Sequence, residues 1–228
     1  MELTLSSQES DELAKELTKE LTNREISNIN KHRIDLIIAG LGEPRGTIRR
    51  TFSKSLVKIG RPAVKPLRYA LLNHSNVIVR RAAAKTLKLL GDSSALPDLM
   101  KALIHDPDPV VQGSSASAIA IFGKEAIRFF IDVIQSPQSC SMQCGLACWG
   151  LAFIGAEATE ALKDAAKSKN TMVRAAAITA LGEQIHTFQD SEAKKLVIDS
   201  LEDESSEVRV EATTLIGTLN EPICFEKL

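Results

Sequence analysis

The chain has few aromatic residues: they make up 4% of its 228 positions, with a single Trp and a single Tyr. All-β sandwiches and barrels lean on aromatic and β-branched strands, so this shortage argues against them. Net charge is nearly absent too, since 28 Lys and Arg face 29 Asp and Glu. So balanced a chain is no global polyanion binder, which leaves room only for local patches. Four cysteines are too few for a disulfide scaffold of this size. The start, MELTLSSQESDEL, lacks the basic flank and apolar run of a signal peptide. The longest near-apolar stretch, Cys144 to Ala156, is 13 residues, short of the roughly 20 that cross a bilayer. Together these read as a cytoplasmic protein without membrane insertion. Phosphate-binding Gly-rich loops, nucleophile elbows and zinc-protease signatures are missing, so nothing calls for a nucleotide or a metal.

What the chain does have is a repeat. Gly closes an apolar phrase at Gly60 (SLVKIG), Gly91 (LKLLG), Gly123 (AIAIFG) and Gly155 (LAFIG). Upstream of each lies an anchor followed by apolar or small residues 4, 8 and 11 positions later. The first three sets are Ile48, Phe52, Leu56, Ile59; Val79, Ala83, Leu87, Leu90; and Val111, Ser115, Ile119, Phe122. Fainter sets start at Gln143, Val173 and Val208, and the anchors lie 31, 32, 32, 30 and 35 residues apart. Offsets of 0, 4, 8 and 11 fall on one side of an α-helix, so each set is a buried stripe. A second apolar-periodic segment precedes each stripe, as in PAVKPLRYALL from Pro62, and turn-formers such as NHSN and HDPDP separate the two. One short helix pair cannot bury both apolar faces, so its neighbours must complete the core.

The expected fold is therefore all-α: a right-handed α-solenoid of about six two-helix repeats behind an N-terminal capping helix. The expected boundaries are a cap at 1–26, repeats at 27–60, 61–91, 92–123, 124–155, 156–189 and 190–220, and a tail at 221–228, in a single domain.

The ordered phrases HRIDLIIAGLGEPRG, KIGRPAVKPL, NHSNVIVRRAAAKTL, DPVVQGSSASAIAIFGKEAI and WGLAFIGAEA resemble HEAT-like repeats of the phycobilin-lyase type. Within that family they are most similar to the NblB-like phycobilisome degradation branch and its lyase-like relatives. The resemblance implies phycobiliproteins such as phycocyanin as partners. It also implies a bilin such as phycocyanobilin as ligand or substrate, with no other cofactor. The expected function is chromophore detachment during phycobilisome degradation. The alternatives are a bilin lyase attaching chromophore to phycobiliprotein cysteines and a non-catalytic protein-binding scaffold. The sequence departs from the repeat pattern at Gln112 and Cys144, where Arg49, Arg80, Arg174 and Arg209 set the rule. Those two repeats are expected to lack a structural ion pair.

Offsets 2, 6 and 9 lie opposite the buried stripe and should line an exposed surface. There the first two repeats place Arg50, Lys54, Arg81, Lys85 and Lys88, and the fourth places Trp149 beside Phe153. Twelve Lys and Arg and no acid occur from Pro44 to Gly91; eleven acids and four bases occur from Glu183 to Leu228. Cations suit carboxylates, and Trp149 and Phe153 offer flat apolar faces. These seven residues are the candidate ligand- or partner-binding set. Because Val133 to Ala156 carries no charge, the fourth repeat can equally serve as a homodimer contact.

Cys140, Cys144 and Cys148 tempt a metal reading, but the outer two stand about 12 Å apart along a helix. Packing is the plainer role, with Cys144 or Cys148 kept as a candidate thiol and Cys224 as a tail thiol. His74 and His105 recur in equivalent turns and are the candidate proton donors, with helix capping as the plainer alternative. Asp108 sits where an N-cap belongs. DNA glycosylases of similar architecture offer another use for the basic tract. The acidic C-terminal part and the lack of an acid beside Trp149 speak against it, so no nucleic acid partner is expected.

Overall fold

The computed structural model describes residues 3–23, 26 and 29–219, the side chains of residues 183, 184, 187, 188 and 219 apart. Cys224 lies outside the described residues. Among the described residues there is no strand. The chain divides into two compact units, Met1–Ile121 and Phe122–Leu228.

The first unit holds α1 (Ser7–Thr22), α2 (Lys31–Gly40), α3 (Gly46–Ile59), α4 (Arg61–Asn73), α5 (Val77–Leu90), α6 (Leu96–His105) and α7 (Pro109–Ala120). Antiparallel pairs α2–α3, α4–α5 and α6–α7 stack side by side, so α1, α3, α5 and α7 form one row and α2, α4 and α6 the other. Each boundary has a local cause. Pro62 occupies the first turn of α4, where its missing N–H costs nothing. Asn76 and Asp108 cap α5 and α7 by accepting from Ile78 N and Val111 N. Gly91 closes α5 at φ 63, a conformation that a side chain would strain.

In the second unit, α8 (Lys124–Gln135) pairs with α9 (Ser141–Ile154), α10 (Thr159–Ala165) with α11 (Thr171–Phe188), and α12 (Ser191–Asp199) with α13 (Ser206–Leu219). Here α9, α11 and α13 make one row. Gly150 faces the Phe130 ring so closely that a Cβ there would collide with it. Phe52 and Phe130 are fully buried, each contributing about 2–3 kcal/mol of apolar burial.

The stripes are where the periodicity puts them: Phe52, Leu56, Val79, Ala83, Leu87, Val111, Ile119, Ala147, Leu151, Val173, Ala177, Val208 and Ala212 are all buried. Both units are thus stretches of all-α solenoid. One detail of the expected surface needs correcting. At offset 9 Ala120, Ala152 and Gly182 are buried and Val57 and Lys88 only half-exposed, so in these repeats that position sits at the edge of the packing. The exposed line runs through offsets 6 and 10 instead, as at Trp149 and Phe153.

A recurring staple joins the repeats. Arg49, Arg80, Arg174 and Arg209 each donate from Nη1 to the carbonyls six and five residues earlier, at 2.5–3.3 Å. These carbonyls lie in the turn before the helix, so each Arg fastens that turn to the helix that follows it. Arg80 also grips Asp106 (Nε–Oδ2 2.8 Å), and Arg174 grips Asp203 (Nη2–Oδ1 2.8 Å), each in the turn of the following repeat. Gln112 keeps one carbonyl bond, to Asp106 O at 2.8 Å, and has no ion pair. Cys144 is buried and uncharged. The two departures seen in the sequence therefore lack this ion pair, which Arg80 and Arg174 make among the described residues. The cap α1 is tied differently, through Arg33 to Glu16 and Glu20 and through Arg45 to Asp11 and the buried Glu43.

Candidate functional site

Two exposed helix faces carry the candidate residues, one in each unit. In the first unit, α3 presents Arg50 and Lys54 and α5 presents Lys85, all exposed and without an ion pair among the described residues. The hydroxyls of Ser53 and Thr86, 2.9 Å apart, link the two helices beneath them. Arg81 and Lys88 are more engaged. Both oxygens of Asp108 accept from the Arg81 guanidinium, at 2.8 and 2.5 Å, and Lys88 donates to Ser117 at 2.6 Å. The Arg81 guanidinium, with help from the Val111 N–H, holds the Asp108 carboxyl at about 2, well below the usual carboxylate range. The five candidate cations thus resolve into two that tie repeats together and three that face outward. This second role of Asp108 escaped the sequence reading, because its partner lies 27 residues upstream.

The second unit is chemically different. Trp149 and Phe153, one turn apart on α9, stack with ring centroids 5.6 Å apart and planes inclined by 29°. They are 43% and 52% exposed, so Trp149 is not packed under a neighbouring helix. Met142, seven residues before Trp149, shares their face at 50% exposure, and Met172 on α11 is 46% exposed. The Ser141 hydroxyl donates to the Met172 sulfur at 2.8 Å, joining the ends of α9 and α11. The two methionines were not singled out from the sequence. The signal was there, since each sits one position before its repeat's anchor. Soft thioethers beside a stacked aromatic pair make an adaptable apolar surface.

The remaining candidates are placed less favourably for chemistry. Nδ1 of His74 accepts from Asn76 N at 3.1 Å in the turn after α4, and His105 is the exposed last residue of α6. Cys144 is buried, and burial pushes its thiol up from the ordinary range; Cys148 is pushed up to about 12. Neither is poised as a nucleophile at neutral pH. Cys140 is exposed at the N-cap of α9, and Cys140, Cys144 and Cys148 are all free thiols. No group of side chains that could hold a metal ion occurs among the described residues. No helix among them is long and apolar enough to cross a membrane.

HEAT repeats match residues 34–120, 64–141 and 127–217. The bilin biosynthesis protein MpeU of Synechococcus sp. (strain WH8020) is 42% identical over 214 residues, 94% of this chain and 72% of that protein. The uncharacterized phycocyanin operon protein Z of Pseudanabaena tenuis (strain PCC 7409) is 32% identical over 126 residues, 52% of this chain and 62% of that protein. Among solved structures, the complex of CpcE and CpcF of phycocyanin lyase from Nostoc sp. PCC7120 aligns with a TM-score of 0.44 and 20% identity. That alignment covers 88% of this chain and 82% of that one.

Proposed function

The chain belongs to the HEAT-repeat family, in its phycobilin-lyase-type branch, and from that premise we propose that it binds a bilin and presents it to a phycobiliprotein for attachment. The observation that carries this reading is the stacked, half-exposed Trp149–Phe153 pair on a helix without a single charge. An open-chain tetrapyrrole is flat, conjugated and largely apolar, and such a ledge suits it. The relative with 42% identity is named for bilin biosynthesis, which favours building the chromophore–protein link over removing it.

The chemistry asked of the chain is modest. Thioether formation adds a thiol S–H across a bilin C=C bond, with the proton ending on carbon, so it needs no oxidant and no leaving group. The buried Cys144 and Cys148 thiols are unsuited to that attack, which leaves the nucleophile to the acceptor's cysteine. This chain's contribution is then to hold and orient the bilin, while Arg50, Lys54 and Lys85 receive carboxylates of the acceptor. Detachment for degradation, the direction expected from the sequence, is the reverse of the same handling.

The deciding experiment has two arms. In the first, the chain, phycocyanobilin and apo-phycocyanin are combined by co-expression, and pigment that stays on the acceptor in a denaturing gel is measured. In the second, holo-phycocyanin is incubated with the chain and loss of its bilin absorbance is followed. Attachment predicts covalent product in the first arm, reduced about tenfold by Trp149→Ala. Product only in the second arm makes the protein a detachment factor. With no spectral change and no co-elution in either, bilin handling is refuted and the scaffold reading stands.

A further inference from the structure

We propose that the α9–α11 face of the second unit recognises the neutral ring surface of its ligand and makes no contact with carboxylates, so that a bilin esterified at both propionates binds there as well as the diacid. The inference rests on the bilin reading and narrows it.

Charge is what points this way. A site for propionates needs Arg or Lys aimed into it. No charged residue occurs from Val133 to Ala156, a span that contains all of α9. Along α11 from Thr171 to Gly182 the sole charged side chain is Arg174. It is buried, with its guanidinium on Asp203, Glu204 and the carbonyls of Ser168 and Lys169. The exposed cations Lys167 and Lys169 lie in the turn before α11 and not on either helix face. Beyond the end of α9, Lys124 is paired with Glu157 at 3.2 Å. Toward α13, the Thr179 hydroxyl donates to Glu211 at 2.9 Å, so the charge there is negative.

What the face does offer is area. Met142, Trp149 and Phe153, at relative positions 0, 7 and 11, lie on one side of α9, and the Ser141 bond brings Met172 alongside. A carboxylate laid on this surface would lose water without gaining a partner. A conjugated ring system gains stacking and loses little. Specificity here comes from excluding charge as much as from attracting rings.

Trp149 is the sole Trp in the chain, so its fluorescence reports on this face directly. The test titrates the full chain with biliverdin and with biliverdin dimethyl ester, each at about 20 and about 500 mM salt. Quenching should give dissociation constants within about twofold of each other and insensitive to salt. Trp149→Ala, followed by bilin absorbance, should weaken both ligands about tenfold or more. An ester that binds more than about tenfold worse than the diacid, or an affinity that falls steeply with salt, overturns the neutral-face assignment while leaving bilin binding intact. Absence of binding by either ligand refutes the bilin reading itself, and this inference with it.

Discussion

The fifth repeat and the fourth use the same helix position in opposite ways. Arg174 lies buried at the start of α11, where it satisfies two carbonyls of the preceding turn and two acids of the following repeat. Cys144, at the matching place in α9, is a small buried thiol. The turn that would have to supply its carboxylate, residues 166–170, reads Ala-Lys-Ser-Lys-Asn and contains no acid. Where the next repeat supplies acids, the Arg adds a bridge between repeats to its bonds within the turn. In the fourth repeat neither member of the pair is present, and its α9 is left without charge and free to expose Trp149 and Phe153.

The largest effects come from moving a charge into or out of this staple. Replacing Arg174 by Ala strands Asp203 and two turn carbonyls, and urea unfolding should show a loss of about 3–5 kcal/mol. Cys144→Arg should cost a similar amount, since it buries a cation against Lys167 and Lys169. Cys144→Ala should cost about 1 kcal/mol or less. Equal stability of the Arg and Ala variants at position 144 would break the comparison.

A smaller effect belongs to Asp108, which serves both Arg81 and the start of α7. Its carboxyl is held at about 2, below its unfolded value of about 4. The stability it adds is therefore complete above about pH 4 and lost as pH falls toward 2. Asp108→Asn keeps the helix cap but loses the charge-assisted bonds to Arg81, so it should cost about 1–2 kcal/mol at neutral pH and flatten the decline in unfolding free energy between about pH 5 and 2. An unchanged acid slope would show that Arg81 leaves the carboxyl unperturbed.

The smallest effect sharpens the fourth repeat alone. With Cys224 replaced by Ser, a thiol reagent at neutral pH should label the exposed Cys140 first. Cys144 and Cys148 should react only at the rate of local opening. Rapid labelling of Cys144 would return it to the list of candidate nucleophiles.

The helices, their pairing and their buried stripes were legible before any coordinates, because a period of 30–35 residues and offsets of 0, 4, 8 and 11 are local facts of the chain. So were the cap at Asp108 and the missing Arg at Gln112 and Cys144. The candidate site was legible only in part. Trp149 and Phe153 were found as an uncharged aromatic pair, but Met142 and Met172 were missed, although each precedes its repeat's anchor, because packing decides whether that position is exposed. The five cations looked equivalent in sequence, yet Asp108 engages Arg81, Ser117 engages Lys88, and Arg50, Lys54 and Lys85 face outward.

By itself the sequence determined which residues turn inward, because a helix converts spacing into direction within a few residues. Tertiary structure decided which polar groups stay available to a partner. That depends on counterions 26–29 residues away, which the stacking of one repeat on the next brings within bonding distance and which spacing alone cannot specify.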